Sequence, residues 1–329
     1  MPLDRMLRNL ITWQHADGPP VPVRAVGVEQ ARARYLANTA VSPGAGTGPL
    51  ATVTAVDRSV DTPDGAAFRC RVYTPEKDEG RVVVTYLHGG GWVLGDIDSH
   101  DRACRGVAVA LGAVVVSADY RRAPEFPYPT PLLDAVAAAR WTARHFPTRD
   151  HVLAGDSAGA SLSVGVALHA RDTGELGLAA QLLLYPPVDP RLLFAAAGDH
   201  AQGYLLTVDD MAYHYDLYVP DARRRSDPAV DLLNADLRNL PPTVVATAEF
   251  DPLHDEGVEL ADKLAVAGVS VRHVPGPGLV HGYFLMQDIV PAAAVRSERV
   301  LAELADVLHP APGPGQTAAA RYAGAARGE

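Results

Sequence analysis

The chain has 329 residues and only two cysteines, Cys70 and Cys104. Two are too few for a disulfide framework, and they lack metal-ligand spacing, so both read as ordinary buried thiols. Positive charge is also short: 29 Lys plus Arg stand against 39 Asp plus Glu, a formal net charge of −10. Nucleic-acid affinity comes mainly from clustered cations, so no nucleic-acid partner is expected. The local run Arg223-Arg224-Arg225 runs into Ser226, Asp227 and Pro228 and reads as a solvated loop. No stretch approaches the roughly 18 uninterrupted apolar residues of a membrane helix. The start, Met1-Pro2-Leu3-Asp4-Arg5, lacks the basic region and apolar run of a signal peptide. The expectation is a soluble, cytoplasmic protein without a membrane span.

What is present suits a large core. Apolar residues make up 48% and charged residues 21%, close to soluble globular averages, which argues against global disorder, coiled coil and fibrous classes. From Val82 to Val274 short β-branched runs alternate with longer amphipathic or Ala-rich segments, the pattern of a mostly parallel sheet covered by helices. The runs are 82–87, 113–117, 152–154, 182–185, 244–247 and 269–271. Several are apolar on both alternating faces, as strands buried on both sides of a sheet are. Helices are predicted near 102–111, 132–146, 158–171 and 256–266.

Ahead of this core, 52–60 and 67–73 alternate and flank Thr62-Pro63-Asp64-Gly65, a turn sequence that predicts an antiparallel edge hairpin. Two stretches break the alternation: residues 1–45, and an insertion at about 187–237. They are expected to form a helical cap over the sheet's C-terminal edge, where open α/β sheets place ligands. The catalytic domain is then 46–308. Residues 309–329, rich in Pro, Gly and Ala, lack the apolar surface to offset ordering entropy and are expected to be a disordered tail.

Strand 152–154 runs into Gly155-Asp156-Ser157-Ala158-Gly159 and then an Ala-rich helix, placing G-x-S-x-G in a strand-turn-helix context. A tight turn there lifts Ser157 above the sheet, and the glycines avoid collision with neighbouring backbone. A serine hydroxyl is a weak nucleophile at neutral pH, so Ser157 needs a base, and the base an orienting acid. After strand 244–247 come Glu249, Asp251 and Asp255; after the last strand, a Gly/Pro-rich turn leads to His281-Gly282. Asp251, directly after its strand, is the favoured acid. Glu249 falls within or just past the strand, and Asp255 suits a helix start. Asp251, His254 and Asp255 also have i, i+3, i+4 metal-ligand spacing, but no further matching ligands accompany them, so no metal is expected.

An oxyanion needs prepositioned donors. Strand 82–87 is followed by His88-Gly89-Gly90-Gly91-Trp92, and two of the N–H groups of Gly89, Gly90 and Gly91, with that of Ala158, are expected to supply them. His88, which precedes the nucleophile and ends a strand, suits a loop-fixing role better than that of the base. Trp92, Tyr185, Leu206, Tyr213, Tyr283 and Phe284 are candidate pocket walls from their positions near motif loops or in the cap, although aromatic residues more often build core.

His88 to Gly91, Asp119-Tyr120-Arg121-Arg122-Ala123-Pro124-Glu125, Gly155 to Gly159, Asp251-Pro252-Leu253 and His281-Gly282 together resemble the hormone-sensitive-lipase-like carboxylesterases, from about Val82 to Leu308. The resemblance implies an α/β-hydrolase core with a helical cap and cofactor-free hydrolysis of short- to medium-chain acyl or acetyl esters. It implies Ser157 as nucleophile, His281 as base and Asp251 as orienter, in agreement with the reading above. The chain departs from the family pattern at Ala160, often glycine, at Arg122, often apolar, and in its extended tail. The expected partner is a small-molecule ester; a homodimer through the last strand or helix is compatible with the sequence. Two alternatives remain: an amide or acetyl hydrolase acting on a specialised metabolite, and a non-catalytic binding protein on the same fold.

Overall fold

The computed structural model describes residues 1–16, 21–39 and 48–309, so the tail at 310–329 lies outside the described residues. Eight strands form one sheet: β1 (Thr54–Asp61), β2 (Ala67–Thr74), β3 (Val82–Leu87), β4 (Val114–Ala118), β5 (Asp150–Asp156), β6 (Ala180–Leu184), β7 (Thr243–Phe250) and β8 (Val271–Val280). Their spatial order is β1-β2-β4-β3-β5-β6-β7-β8. β1 and β2 form the antiparallel edge hairpin, β2 runs antiparallel to β4, and every other pair is parallel. The hairpin closes at Thr62-Pro63-Asp64-Gly65, where Gly65 takes φ 82°.

The apolar runs explain the layers. In β3, Val83 and Leu87 join one apolar cluster while Val82, Val84 and Tyr86 join the other, so the pleat sends consecutive side chains to opposite faces. Helices α1 (Arg5–Gln14), α2 (Val23–Val26) and α3 (Val28–Thr39) precede the sheet. The later helices are α4 (Asp101–Leu111), α5 (Thr130–His145), α6 (Ala158–Thr173), α7 (Leu193–Ala197), α8 (Val208–Tyr218), α9 (His254–Val266) and α10 (Pro291–Leu308). Apolar residues of α5, α6 and α9 pack on the Val83 side; those of α4 and α10 pack on the Val84 side. Among the described residues no helix is long and apolar enough to cross a membrane. Cys70 and Cys104 are buried free thiols.

Three features differ from the sequence reading. β1 starts at Thr54 and not Thr52, because Pro49–Thr52 forms a 3-10 turn. The last strand is not confined to 269–271: β8 runs to Val280, straight through Pro275-Gly276-Pro277-Gly278. Prolines cannot donate to a ladder, but β8 lies at the sheet edge, where a missing N–H costs little. Helix α10 is the third, an amphipathic helix that buries Ala293, Val300, Leu301 and Leu304.

Between β6 and β7 lie α7, α8 and two 3-10 turns, Ala222–Ser226 and Leu232–Asn234, and α2 packs against α8. Thr207 caps α8 by accepting from the Asp210 N–H at 3.1 Å, and its buried residues are Met211, His214, Tyr215 and Tyr218. The arginine run pairs locally: Arg223 with Asp221, Arg224 with Asp227, Arg225 with Asp216.

Candidate active site

β5 ends at Asp156 and α6 begins at Ala158, so Ser157 alone makes the turn. Its backbone takes φ 51° and ψ −124°, a conformation costly for a side-chain-bearing residue, and its N–H donates to the Leu184 carbonyl at 2.8 Å. The flanking glycines permit this. A Cβ on Gly155 would lie 2.4 Å from the Gly159 carbonyl carbon, and one on Gly159 would lie 1.9 Å from the Leu87 carbonyl oxygen.

Two further loops at the same edge of the sheet bring an imidazole and a carboxylate to this turn. Because β8 continues to Val280, His281 leaves the sheet beside β7 and Asp251. His281 Nδ1 lies 2.7 Å from Asp251 Oδ2, and Nε2 lies 3.0 Å from Ser157 Oγ. A carboxylate only accepts, so Nδ1 carries the proton and Nε2 is left to accept from the serine hydroxyl. Asp251 Oδ1 accepts from the Leu253 N–H at 2.9 Å, which fixes the carboxylate plane. The competing acids are engaged elsewhere. Glu249 closes β7, accepts the Gly278 N–H at 2.6 Å and pairs with the N-terminal amine; Asp255 sits in the first turn of α9 and meets His254 at 2.8 Å.

The glycine loop passes beside the elbow. Gly89 cannot serve as an oxyanion donor: its N–H donates to Asp156 Oδ1 at 3.0 Å. Among the described residues, the N–H groups of Gly90, Gly91 and Ala158 have no hydrogen-bond partner, so these three remain for a developing charge.

Sequence reasoning missed Asp156 as a structural element. This buried carboxylate also accepts from the Tyr86 hydroxyl at 2.9 Å and meets His100 Nε2 at 3.2 Å. Burial opposes its charge, but His100 and the Tyr86 hydroxyl outweigh burial and hold its carboxyl below the usual range. Asp156 thus ties the elbow to the glycine loop. The only signal in the sequence was an acid at the second position of G-x-S-x-G, which by itself states no partner.

The remaining loop residues brace this frame. His88 Nδ1 donates to the Gly89 carbonyl at 2.8 Å, and the ring stacks on Tyr120 at 4.1 Å. Burial, aided by nearby His100, pushes it down to about 3, so it stays neutral. The Tyr120 hydroxyl donates to the His88 carbonyl at 2.8 Å. Arg121 binds buried Asp134 through two nitrogens at 2.7 and 2.9 Å. From α3, Arg32 donates to the Val93 and Ala123 carbonyls at 2.8 and 2.9 Å and grips Glu125 at 2.7 and 2.8 Å, fastening the N-terminal helices to this wall. Glu256, fully buried on α9, accepts the Val188 N–H at 2.9 Å. Burial, reinforced by Asp189 and Asp251, pushes its carboxyl well up.

Of the candidate pocket walls, Tyr185 lies edge-on to His281 with ring centroids 4.7 Å apart, and Tyr283 edge-on to Tyr185 at 5.5 Å. Trp92 stacks against α8 and not against Ser157, Asp251 or His281: its ring meets Tyr218 at 4.4 Å and 5°. Leu206 is half-buried ahead of α8. Tyr213 is half-buried under Arg24, and Phe284 is buried.

A family model described as alpha/beta hydrolase fold matches residues 84–285. The chain belongs to the α/β-hydrolase family, in its hormone-sensitive-lipase-like carboxylesterase branch. Over 264 residues it is 39% identical to esterase LipI of Mycobacterium tuberculosis, covering 77% of this hydrolase and 82% of that protein. Carboxylesterase NlhH of the same organism is 42% identical over 250 residues, 73% of this chain and 78% of that one. Among solved structures, a thermostable esterase from Pseudomonas putida ECU1011 is 33% identical with a TM-score of 0.86, covering 93% of this chain and 98% of that one. A hyperthermophilic esterase from the archaeon Pyrobaculum calidifontis is 32% identical with a TM-score of 0.81, covering 94% and 98%.

Proposed function

We propose that this hydrolase cleaves short- to medium-chain carboxylic esters through an acyl-enzyme formed on Ser157. The observation that carries the proposal is the continuous line Asp251–His281–Ser157, at 2.7 and 3.0 Å, beside N–H groups with no partner among the described residues. As the Ser157 oxygen attacks the ester carbonyl, His281 Nε2 takes its proton and Asp251 stabilises the resulting imidazolium. The carbonyl oxygen becomes an oxyanion held by Gly90, Gly91 and Ala158. His281 then hands its proton to the departing alcohol, and a water, deprotonated by His281, releases the acid and restores the serine hydroxyl.

The close packing of the cap supports small acyl groups. One helical turn along α6 from Ser157, Trp92, Ser161, Leu162, Tyr215 and Tyr218 close on one another and leave essentially no room even for a water molecule. In this proposal 46–308 is the catalytic unit, and 1–45 with 187–237 form its cap. Ser157→Ala is expected to lower kcat/KM for p-nitrophenyl butyrate by on the order of 10³-fold or more and to abolish labelling by a fluorophosphonate, with the melting temperature retained. Undiminished turnover in a folded Ser157→Ala protein would refute the assignment.

A further inference from the structure

His214 reaches the glycine loop from the cap. The i, i+3, i+4, i+7 spacing of Met211, His214, Tyr215 and Tyr218 sets all four on the buried face of α8. Trp92, next after the glycines, anchors that face, stacking on Tyr218 and tilting against Tyr215 at 4.9 Å. The His214 ring consequently lies against Gly91: a Cβ built there would be 2.2 Å from Nδ1 and 2.8 Å from Cε1. The ring therefore lies directly against a donor of the oxyanion site.

His214 is 4% exposed, and among the described residues neither ring nitrogen has a hydrogen-bond partner. The other buried histidines each use at least one: His88 with Gly89, His100 with Ser99, His151 with Thr85. A buried polar group without partners is costly, and its presence in a native fold calls for a cause. Burial pushes His214 down to about 4, so the ring is neutral, with one nitrogen donating and the other accepting.

We propose that His214 is a specificity-determining residue that hydrogen-bonds a hydroxyl or oxo group carried by the ester close to its scissile carbonyl. The inference rests on the reading of Gly90, Gly91 and Ala158 as the oxyanion site. With the carbonyl oxygen at the Gly91 N–H, atoms a few bonds away come within reach of a ring lying on Gly91. A plain alkyl chain there leaves both nitrogens dry, whereas a hydroxyl satisfies one of them, donating to the bare nitrogen or accepting from the protonated one. The polar group is carried on the acyl or the alcohol side, and matched substrates separate the two.

The test is kcat/KM, by pH-stat titration, for ethyl 3-hydroxybutyrate against ethyl butyrate and for 2-hydroxyethyl butyrate against propyl butyrate. The parent protein, His214→Phe and His214→Gln are compared. The parent is expected to favour the hydroxylated member of one pair by about tenfold; that pair identifies the side. His214→Phe removes the preference, and His214→Gln, which keeps a donor and an acceptor, retains part of it. A ratio cancels losses common to both esters, including loss of folded protein. No preference in the parent, or a preference untouched by His214→Phe, overturns the inference alone. Failure of the parent on all four esters overturns the Ser157 reading and this inference with it.

Discussion

Asp156→Asn offers a sharp test of the geometry around Ser157, because the carboxylate touches neither the hydroxyl nor the imidazole yet joins the two backbone segments that must meet at the substrate. Its Oδ1 accepts from the Gly89 N–H at 3.0 Å and the Tyr86 hydroxyl at 2.9 Å, beside His100. An asparagine keeps the volume and one oxygen, which can still face both donors, but it removes the negative charge and sets an NH₂ group where Oδ2 meets His100 Nε2 at 3.3 Å. Two charge-assisted hydrogen bonds become neutral ones, at roughly 1–3 kcal/mol, and the weaker hold on the Gly89 N–H loosens Gly90 and Gly91. Loss of one oxyanion donor costs on the order of 10²–10³ in kcat in well-studied serine hydrolases, so a partial misplacement is expected to cost about 10- to 100-fold here, with KM little changed. The assay is kcat and KM for p-nitrophenyl butyrate measured separately, alongside a thermal melt. Tyr86→Phe is the control, since it removes one donor and leaves the Gly89 contact in place; its kcat should stay within a few-fold of the parent. A parent-like kcat in Asp156→Asn, together with a lowered melting temperature, would show that Asp156 supports the fold without aiming the loop.

Two further expectations concern the whole molecule. Burial holds His88 down to about 3 and His151 and His214 to about 4, so between about pH 4.5 and 6.5 the unfolded chain binds protons at these sites that the folded one refuses. Glu256, raised well above its ordinary value chiefly by burial, opposes them by keeping in the fold a proton that the unfolded chain releases. The histidines prevail, and stability should fall with acidification through this window by roughly 2–3 kcal/mol per pH unit at its steepest; urea midpoints at pH 5 and 6.5 measure it, and a higher midpoint at pH 5 would contradict the sign. Both cysteines are buried, and burial pushes the Cys70 thiol up to about 12 and Cys104 higher still. The native protein should leave a thiol reagent such as Ellman's unreacted for hours and release two equivalents on denaturation.

Most of the sheet was legible along the chain because strands buried on both faces must be apolar at consecutive positions, as 82–87 and 113–117 are. The elbow was legible too, since a turn as tight as that at Ser157 tolerates only glycine at 155 and 159. β8 was obscured by its own prolines: Pro275 and Pro277 signal a loop wherever a ladder needs every N–H, and only the strand's place at the edge lifts that requirement. Among three nearby acids, local position favoured Asp251, and Asp251 is the one that lies 2.7 Å from His281 Nδ1.

Periodicity and turn chemistry are properties of a few adjacent residues, so they can be read in order, and the strand runs, the hairpin and the strand-turn-helix setting of Ser157 all came from them. Which glycine N–H is spent on Asp156, and why a histidine of α8 lies on Gly91, depend on contacts between segments separated by tens to more than a hundred residues. Those contacts follow from how helices seat on the sheet, since a shift of one residue in register or a fraction of a turn in a helix would exchange the partners while leaving every local pattern intact.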